Sequence, residues 1–269
     1  MLIPFNELFE KYHIRANGVL HIGANDGAEA EAYHHHGIRE VIWVEALPDV
    51  CAKLRVKLKA FPVHSVINAC VSDVDGKAVT FHVANNGGQS SSYLEFGTHE
   101  KEHPTVKFVE DIAMITARAD SLITEENLEG RWLLNIDLQG AELDALIGMG
   151  TLIEKFDWVY IEVNERELYK GCPLIEDIDD CLGAREFKRV KTKMTGSGWG
   201  DAFYVRESDS SPSAGVEISN EDEIVAAIKS TRGKFLMFSG DFGPSGLVGR
   251  IVTPNCKGEP RTEKGNHGN

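Results

Sequence analysis

Nowhere in the 269 residues does an apolar run approach the roughly 18 to 20 residues that a membrane-spanning helix needs. Positive charge is also short. Twenty-eight basic residues face 42 acidic ones, a formal net charge of −14. Gripping nucleic-acid phosphates takes a basic footprint, so DNA and RNA are excluded as primary partners. An anionic membrane surface is excluded on the same ground. The cysteines (Cys51, Cys70, Cys172, Cys181 and Cys256) are odd in number and scattered, and no CxxC pair occurs. That pattern predicts a reducing, cytoplasmic setting. The opening segment MLIPFNELFEKYHIR carries acids early and does not read as a signal peptide. No internal repeat is found.

What is present is ordinary for a soluble globular protein, with 42% hydrophobic and 26% charged residues. The length predicts between one and two domains and allows a substantial core without disulfides or metals.

Along the chain, apolar runs alternate with helical patterns, the mark of a parallel sheet with crossover helices. Strands are expected at Val19–Gly23, Val41–Glu45, Ser65–Val71, Val79–Ala84, Trp132–Leu138 and Trp158–Val163. Helices are expected at Ala28–His36, from Pro48 to about Ala60, around Ala119–Glu126, at Ala141–Met149 and at Leu174–Leu182, with Gly183 as a stop. Between Asn85 and Thr116 the pattern loosens, and NNGGQSSS is a loop by composition. Phe187–Met194 and Asp201–Arg206 form a closing antiparallel hairpin through TGSGWG. The sum is an α/β chain with an open, doubly wound, mostly parallel sheet ending in that hairpin. Residues 207–217 read as a polar linker, 218–253 as a small α+β appendage with a capped helix and two short strands, Lys234–Phe238 and Leu247–Thr253, and 254–269 as a disordered tail.

Three features carry chemistry. HIGANDG (His21–Gly27) lies where the first strand turns into its helix, and glycine there permits positive φ and close approach of the backbone to a ligand. A dinucleotide fingerprint counted from Gly23 would put glycine at positions 25 and 28, where Asn25 and Ala28 stand. The turn therefore suits a ligand without a pyrophosphate, or is a tight turn and nothing more. Glu45 ends the second strand, where a carboxylate can accept both hydroxyls of an adenosine ribose. In NIDLQGAE, Asp137 ends a buried strand and Glu142 opens the next helix, either at the mouth of the same crevice or simply capping that helix. The His34–His36 run gathers no ligands on one face and reads as solvated.

HIGANDG, VEALP, NACVSDVDGKAVTFHV, the GGQSSSYL loop, TARADSLI, NIDLQGAELDALIGMG, YIEVNERELY and GDAFYV, in this order, resemble the FkbM family within the class I S-adenosylmethionine (SAM)-dependent methyltransferases. The likeness runs from about Gly18 to Arg206. It implies the Rossmann-like class I fold over residues 1–206. It implies that Gly23, Asn25 and Gly27 underlie the methionine of SAM, that Glu45 holds the ribose, and that Asn68 and Cys70 border the adenine; Asp26 and Ala46 join this cofactor-binding set. Asp137 would meet the methionine amino group or the acceptor. Ser91 and Ser92 would touch the substrate from a loop that is either a wall of the site or a flexible linker. The family commonly has glutamate where this chain has Gln139, which lowers the local charge.

Methyl transfer from a sulfonium is a direct displacement, so positioning supplies much of the rate. A hydroxyl acceptor also needs a proton acceptor. Asp137, Glu142 and Glu162 are the candidates, with His99 and His103 behind them. Asp137, Glu162 and Asn164 at strand ends also resemble the Mg²⁺ ligands of catechol-type enzymes, and a metal would acidify and orient the hydroxyl. The alternative has Glu162 and Asn164 lining the acceptor pocket without a metal. The resemblance favours O-methylation of a glycan or other small molecule, a lipid or polyketide included, and allows a homo-oligomer. A nucleotide-sugar or dinucleotide oxidoreductase and a non-catalytic SAM-binding module are the rival readings.

Overall fold

The computed structural model describes residues 1–61 and 63–207, with the backbone of Met237–Gly243 and Gly246–Val252. It divides into two compact units, Met1–Arg206 and Glu207–Asn269. The first unit is built in the order α1 (Phe5–Lys11), β1 (Gly18–Ile22), α2 (Ala30–His35), β2 (Glu40–Glu45), α3 (Pro48–Lys57), β3 (His64–Asn68), β4 (Cys70–Val71), β5 (Ala78–Ala84), α4 (His99–Glu102), β6 (Phe108–Ala117), α5 (Ala119–Leu122), β7 (Trp132–Ile136), α6 (Glu142–Gly148), β8 (Phe156–Asn164), α7 (Ile175–Gly183), β9 (Phe187–Met194) and β10 (Trp199–Arg206).

The main sheet has seven strands in the order β3-β2-β1-β7-β8-β10-β9. All pairs are parallel except those of β10, which runs antiparallel to both β8 and β9. This is the mostly parallel, doubly wound sheet with a closing hairpin that the patterning predicts. β1 and β7 are buried at every position, as strands covered on both faces must be. Val19, Val41, Leu133, Trp43, Trp158 and Phe203 share one cluster with Phe5 and Leu8 of α1, Tyr33 of α2 and Leu54 of α3. α6 and α7 pack on each other and on β8. α7 repeats buried positions at Ile175, Ile178 and Leu182, and the Asp177 carboxylate accepts the Leu174 N–H at 2.9 Å.

Three expectations change. β6 lies almost wholly in the stretch read as loose; it pairs antiparallel with β5 and parallel with β4 in a small second sheet. Half of β6 is exposed and Glu110–Asp111 interrupt it; the alternation of Ile112, Met114 and Thr116 toward the interior is fully buried only at Thr116 and is not matched by polar residues between them. The run Ser65–Val71 splits at Ala69 because β4 leaves the main sheet to join β6. Gly183 is the last residue of α7, not its stop; Glu186 takes the left-handed conformation that turns the chain out, at φ +65°. Of the histidine run, His34 and His35 are exposed, while His36 stacks on Phe9 of α1 at 4.1 Å and bonds Asn6 Oδ1 at 2.8 Å.

In the second unit, β11 (Met237–Gly243) and β12 (Gly246–Val252) form an antiparallel pair, the first displaced toward the C-terminus from the expected Lys234–Phe238. Most of the expected linker, the capped helix and the tail lie outside the described residues. Among the described residues, no helix is long and apolar enough to cross a membrane.

Candidate active site

Ligands in open α/β sheets bind at the carboxyl edge where strand order reverses. Here that point lies between β1 and β7, and a cleft of about 470 Å³ opens there, a size that suits a small molecule. Its floor rests on a buried polar layer. The Asn135 amide donates to the Tyr33 hydroxyl at 2.7 Å, and that hydroxyl meets His21 Nδ1 at 3.1 Å. His21 also stacks on Trp43 at 4.9 Å, and burial pushes its pKa down to about 3, so it is a neutral spacer.

The turn after β1 is fixed by its backbone. Gly23 has φ +88°, and a Cβ there would lie 1.7 Å from the carbonyl oxygen of Asp137. Its N–H and that of Ala24 both donate to Val44 O, at 2.9 and 3.0 Å, tying the turn to the end of β2. Asn25 is left-handed at φ +42°, and its N–H donates to Glu45 Oε2 at 2.9 Å. The other oxygen of Glu45 accepts Leu47 N–H at 2.8 Å. The Ala46 N–H also bears on the carboxylate, which lines the cleft and keeps acceptor capacity toward it. Burial raises the Glu45 pKa against these hydrogen bonds.

Gly23, Asn25, Asp26, Glu45, Ala46, Cys70, Ser91, Asp137 and Glu162 of the expected set line the cleft. Gly27, Asn68, Ser92, Glu142 and Asn164 do not. Gly27 packs the turn on α3, where a Cβ would meet Leu54 Cδ1 at 2.5 Å. The Asn68 amide donates to the carbonyls of Glu45 and Ala46, at 2.9 and 2.8 Å, and so holds the segment that presents Glu45. Cys70 does border the cleft, beside Val71, Phe81 and Tyr93, and burial pushes its thiol up to about 12. That group forms an apolar flank suited to a flat heterocycle.

The loop after β5 is a built wall. The Asn86 amide donates to Ser90 Oγ at 2.9 Å, Ser91 Oγ accepts Ala84 N–H at 2.9 Å, and Ser90 O lies 3.2 Å from the Tyr169 hydroxyl. Ser92 is buried and bridges to His82 through the backbone, so it cannot touch a substrate. Asn86, Gln89 and Ser90 face the cleft from the same loop. Asn164 is likewise buried, outside the cleft lining, and both of its side-chain polar atoms lack a hydrogen-bond partner among the described residues.

The carboxylates cluster at the ends of β7 and β8. Oxygens of Asp137, Glu142 and Glu162 lie within 4.8 Å of one another. Glu142 is fully buried; its Oε1 accepts Leu138 N–H at 2.9 Å and both oxygens accept Gly140 N–H at 3.1 Å. It therefore braces the turn after β7 and is corrected from a candidate base to a structural group. Burial still lifts its pKa to about 7. Asp137 is surrounded by protein yet open to the cleft, and desolvation raises it to about 6. Glu162 is buried, and that burial, followed by the Asp137 and Glu142 charges, raises its pKa well above the usual carboxylate range. Asp201 is a cleft residue that sequence reasoning assigned no role. It pairs with Glu162 across β8 and β10 and takes hydrogen bonds from the Tyr160 hydroxyl and Leu2 N–H. Its only signal was its place at the start of the DAFYV run. His99 and His103 line the far end with Leu168 and Trp199; His99 stacks on Phe96 at 4.2 Å, and burial lowers it to about 4.

The order of strands, the glycine turn and the strand-end acids define one crevice. The model of the methyltransferase FkbM domain matches residues 21–189, more than half of the chain. The chain belongs to the FkbM methyltransferases. A curated relative of this FkbM methyltransferase is the 2-O-methyltransferase NoeI of Sinorhizobium fredii (strain NBRC 101917 / NGR234), 28% identical over 175 residues, or 62% of this chain and 72% of that protein. Solved structures of similar shape include a putative RNA methyltransferase from Pyrococcus horikoshii (TM-score 0.41, 14% identity, 76% of this chain and 79% of that one). Another is the magnesium protoporphyrin IX methyltransferase from Synechocystis PCC 6803 with bound SAM (TM-score 0.42, 11% identity, 75% and 76%). At these scores they carry nothing about substrate.

The family's methyl donor is SAM, and the residues present fit it. A sulfonium with an amino group brings positive charge, and Asp137 supplies the opposite sign in a partly desolvated cleft. Glu45 lines the cleft as an acceptor for a ribose. Because Asp137 must be ionised to attract a cation, SAM affinity is expected to be full above pH 7 and to fall as pH drops through about 6. Calorimetric titration at pH 5 to 8 checks this, and Asp137→Asn should bind more weakly with a flatter profile.

Proposed function

We propose that this FkbM methyltransferase transfers the methyl group of SAM to a hydroxyl oxygen of a glycan. The observation that carries the reading is a hydroxyl-sized problem met by the right group: Glu162, a carboxylate of raised proton affinity, faces the cleft beside the ionised Asp137. A raised carboxylate is a better proton acceptor than an ordinary one. The named activity of NoeI, transfer to an oxygen at position 2, supports the same chemistry.

SAM, when bound, supplies an electrophilic methyl carbon whose bonding pair departs with sulfur as the acceptor oxygen bonds to it. The chain's residues do the rest. The Gly23–Asn25 turn and Glu45 fix the donor's position. Cationic charge in the cleft draws the carboxylates toward their ionised forms, which readies Glu162 to take the hydroxyl proton. The Asn86–Ser91 wall and Trp199 bound the space left for the acceptor.

The test is transfer of isotopically labelled methyl to a panel of glycans, lipids and small alcohols, with the linkage read by mass spectrometry. A methyl ether on a sugar is expected, and Glu162→Gln should lower kcat about 100-fold with SAM affinity little changed. Label appearing only on lipid, or on nitrogen, would overturn the glycan reading.

A further inference from the structure

Three carboxylates this close need protons, a cation or hydrogen-bond donors among them. The turn after β7 shows what stands there. Gln139 is left-handed at φ +55°, a strained position for a non-glycine, and Gly140 follows at φ +99°; the Glu142 carboxylate holds the turn from below. In this conformation the Gln139 amide enters the cluster. Its Nε2 donates to Asp137 Oδ1 at 2.6 Å and to Glu162 Oε2 at 2.9 Å, one hydrogen to each. Its Oε1 lies 2.8 Å from the Tyr169 hydroxyl, which donates to it. The opposite orientation would turn a carbonyl toward two carboxylates, so Tyr169 and the acids agree on one arrangement. Non-glycine residues persist at such φ values only where their surroundings impose it, and they gather at working sites.

We propose that Gln139 is a positioning residue whose amide takes the place a bridging cation would hold between Asp137 and Glu162. It aims Asp137 at the donor and Glu162 at the acceptor, and it lets the site work without a divalent metal. This rests on the hydroxyl-transfer reading above for what Glu162 does, but not for what the amide does. A glutamate at the same position would set three carboxylates oxygen against oxygen, a hard-donor arrangement that needs a proton or an ion such as Mg²⁺.

The experiment compares full-length wild type with Gln139→Glu and Gln139→Ala. Wild-type turnover should be unchanged by a chelator, and its melting temperature unmoved by millimolar Mg²⁺ or Mn²⁺. Gln139→Glu should gain a melting-temperature rise and a calorimetric binding signal with either ion, and lose activity that the ion restores. Gln139→Ala should lose about 100-fold in kcat, the scale of a small misplacement of reacting groups, and less in SAM affinity. The proposal is overturned if wild type binds the ions itself, or if Gln139→Glu neither binds them nor loses activity. The ion-binding measurements need no acceptor, so they stand or fall apart from the choice of a glycan. Should Gln139→Ala fail to fold, the Gln139→Glu ion response decides the matter.

Discussion

Glu45→Ala is expected to weaken SAM binding by at least about 100-fold, since two hydrogen bonds to a charged acceptor contribute roughly 1.5–3 kcal/mol each and 1.4 kcal/mol is tenfold in affinity. The prediction follows from how the carboxylate is held. Asn25 N–H and Leu47 N–H each occupy one oxygen, and the Asn68 amide braces the Glu45 and Ala46 carbonyls behind it. Those contacts fix its direction at the edge of the cleft. Calorimetry reads the affinity, and a thermal melt separates lost binding from lost structure. Asn68→Ala should cost less, because it loosens the support and leaves the carboxylate in place. An unchanged affinity in Glu45→Ala would remove the ribose from that strand end.

Gly23→Ala is expected to destabilise the fold by about 3 kcal/mol or more, combining left-handed strain with a clash that neither neighbour can relieve. The new Cβ would sit 1.7 Å from a backbone oxygen, that of Asp137, and Asp137 N–H is itself tied to Ile22 O at 3.0 Å. The natural control is Gly37→Ala. Gly37 has φ +81° and nothing within 4 Å of the added atom, so only conformational strain of about 1–2 kcal/mol remains. Urea unfolding of the two variants compares the terms, and a similar loss in both would show that the close approach at Gly23 carries little weight.

The main sheet was legible because its central strands are apolar on both faces and its turns carry glycine, asparagine and proline where the backbone needs them. The second sheet was not. β6 exposes Val109 and Ile115 and carries two acids, so the acids split its apolar residues and the sequence shows no polar alternation, although Ile112 and Met114 turn inward. α1 does carry a signal in the sequence, with Phe5, Leu8 and Phe9 at helical spacing. In the site, the lining residues at strand ends could be read because position on a strand decides them. Side-chain direction could not. Glu142 and Ser92 were read as facing a ligand, yet the backbone claims the one and burial the other. Asp201 and the Gln139 bridge depend on contacts between strands distant in sequence, and spacing alone carries no trace of those.

The most direct measurement is a crystal structure of the enzyme with S-adenosylhomocysteine, the demethylated product. The ribose hydroxyls should lie within hydrogen-bond distance of Glu45, the adenine against Cys70 and Phe81, and the amino group at Asp137. A product bound elsewhere, or in this cleft with Glu45 untouched, would contradict the account.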